Sequence, residues 1–264
     1  MKLSDRLEAV LSQIECCETS QAGGYKASCQ GGERSNATLA DIGTDHGFIP
    51  VEAIRRGLIC SAIACDIGAG PLERASEHIA MAGLADKIQT RLGDGLSPIK
   101  PGEADIIVIA GMGGMLMKKI IQAGIDRALS AKKLILSPQS DLEVFRGFLY
   151  ESGFNISSET CIEEEGKYYF IIGAAPAAKT AAKPATKATA MAAVPPAPSR
   201  LELLYGRKAD FDKASQATRK SLMQKDLESY RKAAIALKDA KSEASALRKK
   251  EINNLIYILE GALK

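Results

Sequence analysis

The stretch Thr38-Leu39-Ala40-Asp41-Ile42-Gly43-Thr44-Asp45-His46-Gly47 decides the fold. A short apolar strand ends in an acid, and a turn built on two glycines follows. Pro50 then opens a helix, where its fixed φ and missing N–H cost nothing. A strand–turn–helix of this kind brings bare backbone to the carboxyl edge of a parallel sheet, where a ligand can lie against it. An acid at the strand end suits an amine-bearing or cationic ligand better than a pyrophosphate. That chemistry points to S-adenosylmethionine (SAM) rather than to a nicotinamide dinucleotide.

The same alternation continues outward. Strands are expected at 38–42, 61–66, 88–92, 105–110, 133–137, 156–162 and 168–173, and helices at 50–56, 71–82, 115–128 and 141–152. Continuous apolar runs such as Ile106-Ile107-Val108-Ile109 suit strands buried on both faces. The last two strands are joined through Glu165-Gly166 with no helix between, which predicts an antiparallel hairpin at the sheet edge. A Rossmann-like α/β sheet closed by such a hairpin is the usual outline of a class I SAM-dependent methyltransferase. Ahead of the sheet, Leu3, Leu7, Val10, Leu11 and Ile14 repeat at helical spacing with Ser4 as cap.

Three further segments surround this body. Residues 15–36 lack periodicity, are rich in Cys, Gly and Ser, and read as a surface insertion within a 1–173 methyltransferase domain. Residues 174–199 are Ala/Pro/Lys-rich and read as a flexible linker. Residues 200–264 read as an antiparallel, coiled-coil-like helical hairpin with helices at 211–240 and 242–263. Its expected seams are Phe211, Ala214, Thr218, Leu222, Tyr230, Ala233 and Leu237 on the first helix, and Leu247, Ile252, Leu255, Leu259 and Ala262 on the second.

Net charge is only +3, but residues 1–173 hold 17 basic against 23 acidic side chains, whereas residues 199–264 hold 15 against 9. A basic tail on an acidic body suggests a polyanionic partner, or a solvated helical face. The six cysteines show no CxxC and no His partner at metal spacing, so no metal site is expected; a knuckle of Cys16, Cys17 and Cys29 is a weak alternative. With no signal peptide and no apolar run of transmembrane length, a cytoplasmic protein with reduced thiols and no membrane partner is expected.

Three acids fall where a SAM site needs them. Asp41 ends the first strand beside Gly43, where the methionine part can approach. Asp66 ends the second strand, where a carboxylate can accept both ribose hydroxyls. Asp94, in Gly93-Asp94-Gly95, follows the third strand and is placed to meet the adenine amino group. One acid after a strand is ordinary turn chemistry; three at successive strand ends are not. The fourth strand runs into Ala110-Gly111-Met112-Gly113-Gly114, whose glycines admit cofactor or substrate close to the backbone. Alone, that run also resembles a dinucleotide finger, but no acid ends a strand about 20 residues later. An Asn/Asp-Pro-Pro-aromatic motif, which holds exocyclic amines in many methyltransferases, is missing here, and this favours a different target atom.

These residues resemble the bacterial tRNA (adenine-22-N1)-methyltransferases. The matching stretches are Leu3-Ser4-Asp5-Arg6-Leu7, Ala40 to Gly47, Gly93-Asp94-Gly95-Leu96 and Ile109-Ala110-Gly111-Met112-Gly113-Gly114. The Asp45-His46 pair and the AGMGG run are the specific part. The resemblance covers residues 1–14 and 37–173 and implies SAM-dependent methylation of an adenine N1 in the tRNA D-arm region. The insertion 15–36 and the long linker depart from the family pattern.

N1 lies on the pairing edge of the base, so the adenine has to leave its stack. The product ring is cationic, and a nearby carboxylate stabilises that charge as it develops. Asp45 is the candidate for this catalytic role, with turn capping as the alternative, and His46 is a second candidate. Phe48, Gly113 and Gly114 are candidates to meet the base, and Ser137-Pro138-Gln139 to line its pocket. Arg219-Lys220 and Arg231-Lys232, about three helical turns apart, are candidates to track phosphates. A monomer or weak homodimer is expected. Two other functions fit the same residues: methylation of a small molecule with a hairpin that only dimerises, and a noncatalytic RNA-binding scaffold.

Overall fold

The structure, a computed structural model, describes residues 3–15, 36–177, 197–238 and 242–264. Most of the expected insertion (16–35) and most of the expected linker lie outside these residues, and Glu15 belongs to the first helix. Seven strands form one sheet: β1 (Thr38–Ile42), β2 (Ser61–Asp66), β3 (Ile88–Leu92), β4 (Ile106–Ala110), β5 (Lys133–Ser137), β6 (Phe154–Glu164) and β7 (Lys167–Pro176). Their order is β3-β2-β1-β4-β5-β7-β6. β1 to β5 pair in parallel, whereas β7 runs antiparallel to both β5 and β6. β1 lies between β2 and β4, so the strand order reverses there and leaves a crevice at the carboxyl edge.

Side-chain alternation along the strands divides the core in two. Ala40, Ile42, Ile63, Cys65, Ile107, Ile109, Leu134 and Leu136 face α4 (Gly114–Ala123), α5 (Ile125–Ser130) and α6 (Leu142–Glu151). Leu39, Ala62, Ala64, Ile106, Val108, Ile135 and Ile171 face α1 (Asp5–Glu15), α2 (Phe48–Arg55) and α3 (Ala69–Met81). The expected helix 115–128 is two helices because Gly124 breaks it; a Cβ there would meet Leu96 at 2.6 Å. α2 starts before Pro50, with Gly47 as its N-cap at φ 66°, so the proline is the third helical residue rather than the first. It is tolerated because first-turn N–H groups have no intrahelical acceptor. β7 also takes three residues from the expected linker. Ala174 pairs with Leu134 and Ile156 and is fully buried.

A polar clasp holds α1 over β5–β7–β6. The buried Lys133 ammonium donates to the Gln13 carbonyl at 2.8 Å, where a cation meets carbonyls of the helix C-terminus. The Gln13 amide donates to Thr160 Oγ1 and accepts from Ser158 Oγ. Gly173 makes room for this clasp, since a Cβ there would lie 2.4 Å from Ser158 Oγ. The first half of α1 is thereby held beside the carboxyl edge, where Arg6, Leu7 and Val10 wall a cavity with residues of the β1 turn.

The C-terminal hairpin is α8 (Lys213–Ala236) against α9 (Glu243–Leu263). A short helix α7 (Arg200–Tyr205) and a 3-10 turn (Lys208–Asp210) precede it. α7 was not expected, although Ser199-Arg200-Leu201-Glu202 is a capping box: Ser199 accepts from the Glu202 N–H and the Glu202 carboxylate accepts from the Ser199 N–H. The seam of α8 is centred one residue beyond the expected one, with the expected Leu222 and Tyr230 half-buried against the same cluster. Ser215, Arg219, Met223 and Leu227 are the buried positions. On α9, Ile252, Leu255 and Leu259 are buried as expected, while Leu247 is exposed.

Arg146 and Glu159 dock this module onto the body. Both side chains are fully buried, 2.7 Å apart, and Arg146 Nη1 donates to the Leu203 and Leu204 carbonyls. Gly206 leaves room beside them, as a Cβ there would lie 2.6 Å from Glu159 Oε1. The guanidinium also lies over Phe170.

Candidate functional site

The strand-end acids meet the carboxyl edge as the sequence suggests. Register aligns Ile42 with Cys65 and with Ile109, and Cys65 with Arg91, so the ends of β1, β2, β3 and β4 are level. Asp41 is buried and accepts a 2.6 Å hydrogen bond from Thr44 Oγ1. Burial raises its pKa to about 6; the Thr44 bond opposes the rise and the Asp66 charge adds to it. Asp66 is half-buried, and its Oδ1 accepts from the Gly68 N–H at 2.8 Å. Asp94 is exposed in a separate 130 Å³ cavity with Gly95 and Leu116. Ile67, next to Asp66, is 70% exposed and gives the edge an apolar surface.

The β1 turn is drawn tightly onto its neighbours. The Gly43 and Thr44 N–H groups both donate to the Cys65 carbonyl. Gly43 has φ 80°, a left-handed conformation that residues with a Cβ rarely adopt, and Met112 Cε packs over its bare backbone. Across the crevice, Ala110 and Gly111 face Asp41, Gly43, Thr44, Asp45, His46 and Phe48 in a 360 Å³ cavity roofed by Arg6, Leu7 and Val10. That volume falls in the roughly 300–1,000 Å³ range of small-molecule sites. Gly113 caps α4, and Gly114 packs against the Ser140 carbonyl, its N–H donating there at 3.1 Å. The Gln139 N–H donates to the Met112 carbonyl, which ties together the loops after β4 and β5.

Asp45 holds a left-handed conformation, φ 35°, unusual for a residue with a Cβ. One oxygen takes a 2.5 Å ion pair from Arg74, and the other lies 3.5 Å from His46 Nε2. No turn N–H among the described residues donates to this carboxylate, so capping is not its role. The His46 ring stacks on Phe48 with centroids 5.2 Å apart, and Phe48 meets His78 edge-on. His78 Nδ1 donates to the His46 carbonyl at 2.9 Å. Arg6, Thr44, Arg74 and His78 therefore belong to the site and were missed as site residues. Asp41-x-x-Thr44 is a readable local hydrogen-bonding pattern. Arg74 and His78 come from α3 and carry no sequence signal.

The basic residues of the hairpin divide differently from expectation. Arg219 is buried: its Nε donates to the Tyr205 carbonyl, its Nη2 to Gly206, and its guanidinium lies over Phe211. It is a fastening of the docked module and is not available to phosphate, which corrects its assignment. Arg231 is exposed but paired with Glu260 of α9 at 2.7 Å. Lys220 and Lys232 are exposed.

A profile of the family described as a methyltransferase domain matches residues 33–172, more than half of the chain. The chain belongs to this methyltransferase family. The tRNA (adenine(22)-N(1))-methyltransferase of Bacillus subtilis (strain 168) is 38% identical over 172 residues, which is 65% of this chain and 64% of that protein. The chain thus spans less than two thirds of this curated relative. Among solved structures, the Bacillus subtilis tRNA methyltransferase TrmK superimposes with a TM-score of 0.76 at 28% identity, covering 100% of this chain and 99% of that one. Streptococcus pneumoniae Sp1610 in complex with S-adenosyl-L-methionine superimposes with a TM-score of 0.71 at 26% identity, covering 100% of each. The superpositions include the C-terminal helices, so the whole architecture, and not the sheet alone, recurs in these proteins.

Proposed function

We propose that this methyltransferase moves the methyl group of SAM to N1 of an adenine in tRNA, at position 22 as in its Bacillus subtilis relative. The observation that carries the reading is the 360 Å³ cavity, where the cofactor edge at Asp41 and Gly43 meets Asp45, His46 and Phe48. The residues fit the cofactor: acids at successive strand ends, an exposed apolar Ile67, and a turn whose Gly43 holds a left-handed φ of 80°. SAM, when bound, supplies a methyl group on a cationic sulfur.

The adenine N1 lone pair forms the new N–CH3 bond, and the S–CH3 bonding pair stays with sulfur. No proton has to leave N1 in that step. The protein's work is alignment and charge placement. Asp41 offers a buried carboxylate to the amino end of the cofactor, and Asp66 and Asp94 offer carboxylates to its ribose and adenine. Phe48, already stacked with His46, offers a face to the unstacked base. Asp45, its direction set by Arg74, offers negative charge to the ring as it becomes cationic.

A second reading keeps the cofactor but gives the cavity a small-molecule substrate. The burial of Arg219 and the pairing of Arg231 favour it, because they leave the hairpin fewer free cations than its composition suggests. Label transfer from SAM to unmodified bulk tRNA decides between them. Incorporation into RNA supports the first reading, and SAM binding without incorporation supports the second.

A further inference from the structure

The loop after β4 carries nothing that could read a base. Ala110-Gly111-Met112-Gly113-Gly114 has no polar side chain, although Ala110 and Gly111 line the 360 Å³ cavity. Around that cavity the Thr44 hydroxyl is engaged with Asp41, and the Arg74 guanidinium holds Asp45. A side chain that tells adenine from the other bases has to come from elsewhere, and β5 lies next in the sheet.

Gln139 stands at that place. Register pairs Ala110 with Ser137, so β4 and β5 end level and their loops leave the sheet side by side. The Gln139 N–H donates to the Met112 carbonyl at 2.9 Å, and the Ser140 carbonyl accepts from the Gly114 N–H at 3.1 Å. Pro138, just before, is buried. The backbone is thus fastened on both sides of the residue, whereas the Gln139 side chain is exposed and its carboxamide meets no partner among the described residues. The neighbouring Ser140 hydroxyl is engaged with Asp141. Gln139 lines a 910 Å³ groove between the β6–β7 hairpin, the start of α6 and the C-terminal module. Of the residues lining this groove and the cavity, only Gln139 carries a carboxamide.

Methylation at N1 restricts how the base can be read. N1 has to face the methyl group, so no protein donor can occupy it. The edge left to identify adenine runs from the N6 amino group, next to N1, to N7. A carboxamide matches that edge with two parallel bonds, its oxygen accepting from N6–H and its NH2 donating to N7. Guanine presents two acceptors there, O6 and N7, and its O6 opposes the carboxamide oxygen. Because this edge lies to the side of N1, its reader belongs beside the cavity and not inside it. We infer that Gln139 reads the N6/N7 edge of the unstacked adenine, laid over Gly111 and Met112 with N1 toward the cavity. As N1 is alkylated, positive charge spreads to N6 and the N6–H···O bond strengthens, so the contact favours the transition state over the ground state. The inference rests on the adenine-N1 reading above.

The test uses the full chain as wild type, Gln139→Ala and Gln139→Glu, on tRNA carrying adenosine or 7-deazaadenosine at position 22. The analogue replaces N7 by C–H and leaves N1 and N6 in place. Methylation gives kcat/KM, and calorimetry gives SAM affinity. The wild type should lose about tenfold on the analogue. Gln139→Ala should lose about 10- to 100-fold on adenosine and nothing further on the analogue. Gln139→Glu turns a second oxygen toward the N7 lone pair, so it should prefer the analogue and reverse the wild-type order. SAM affinity should stay within about twofold throughout. Wild-type kcat/KM in Gln139→Ala, or equal sensitivity of that variant and the wild type to loss of N7, overturns the inference and leaves the reaction standing. A fall in SAM affinity that matches the fall in turnover would make Gln139 a cofactor residue and overturn it too. A wild type that methylates no adenosine-bearing tRNA overturns the adenine-N1 reading, and this inference with it.

Discussion

Asp45 combines a positive φ, an ion pair to Arg74 and a near contact with His46 on a turn that opens into the cavity. Strained backbone that points a carboxylate at a ligand space is a reason to assign it function. Asp45→Asn keeps the size of the side chain and removes its charge. It should lower kcat about 100-fold and leave the dissociation constant for SAM within about twofold, read by single-turnover kinetics and calorimetry. Unchanged kcat would take Asp45 out of the mechanism. Asp41 gives a pH signature. Its folded pKa of about 6 lies above the ordinary 3.8, so its contribution to the ligand-free fold is fully present below 3.8 and is lost as pH rises through about 6. A cationic ligand needs the ionised form. SAM affinity should therefore fall as pH drops below about 6, and Asp41→Asn should flatten that dependence while weakening binding about tenfold or more at pH 7.5.

At the scale of elements, the buried Arg146–Glu159 pair joins α6, β6 and the carbonyls at the end of α7. Removing one partner leaves an uncompensated charge in the interior. Glu159→Gln should cost about 3–5 kcal/mol in chemical denaturation and speed hydrogen exchange in α7 and α8. A loss under about 1 kcal/mol would mean that the apolar contacts of Phe170 and Phe211 hold the module without the ion pair. This joint also marks where the sequence is hard to read. All seven strands were legible, because Leu39, Ile63 and Val108 belong to runs that only a sheet covered on both faces can bury. The placement of Asp41, Asp66 and Asp94 at the sheet's carboxyl edge was legible because they end or closely follow those strands. The seam of α8 was not, since Ser215 and Arg219 break the apolar period: Arg219 is buried by the Tyr205 and Gly206 carbonyls, which no periodicity reports. Arg6, Arg74 and His78 enter the site from helices distant in sequence, and only the sheet order brings them there.

For the molecule as a whole, the contrast between an acidic body and a basic C-terminal module survives folding in altered form. The module is docked by hydrogen bonds from Arg146 to the Leu203 and Leu204 carbonyls, so cutting the chain at 199 would strip Arg146 of two acceptors and expose Phe170. Truncation is therefore a poor test of RNA binding. Surface charge is the better one, and Lys220 and Lys232 carry it. The double variant Lys220→Glu, Lys232→Glu should keep its melting temperature and raise the KM for tRNA several-fold, with a salt slope lower by about two. An unchanged KM would leave the hairpin a structural element. The central claim is the reaction itself. It is tested most directly by incubating the full chain with isotopically labelled SAM and unmodified tRNA, digesting the RNA and identifying the labelled nucleoside by mass spectrometry. N1-methyladenosine is the predicted product, mapping to position 22; label on another nucleoside, or none in RNA from protein that binds SAM, would contradict the account.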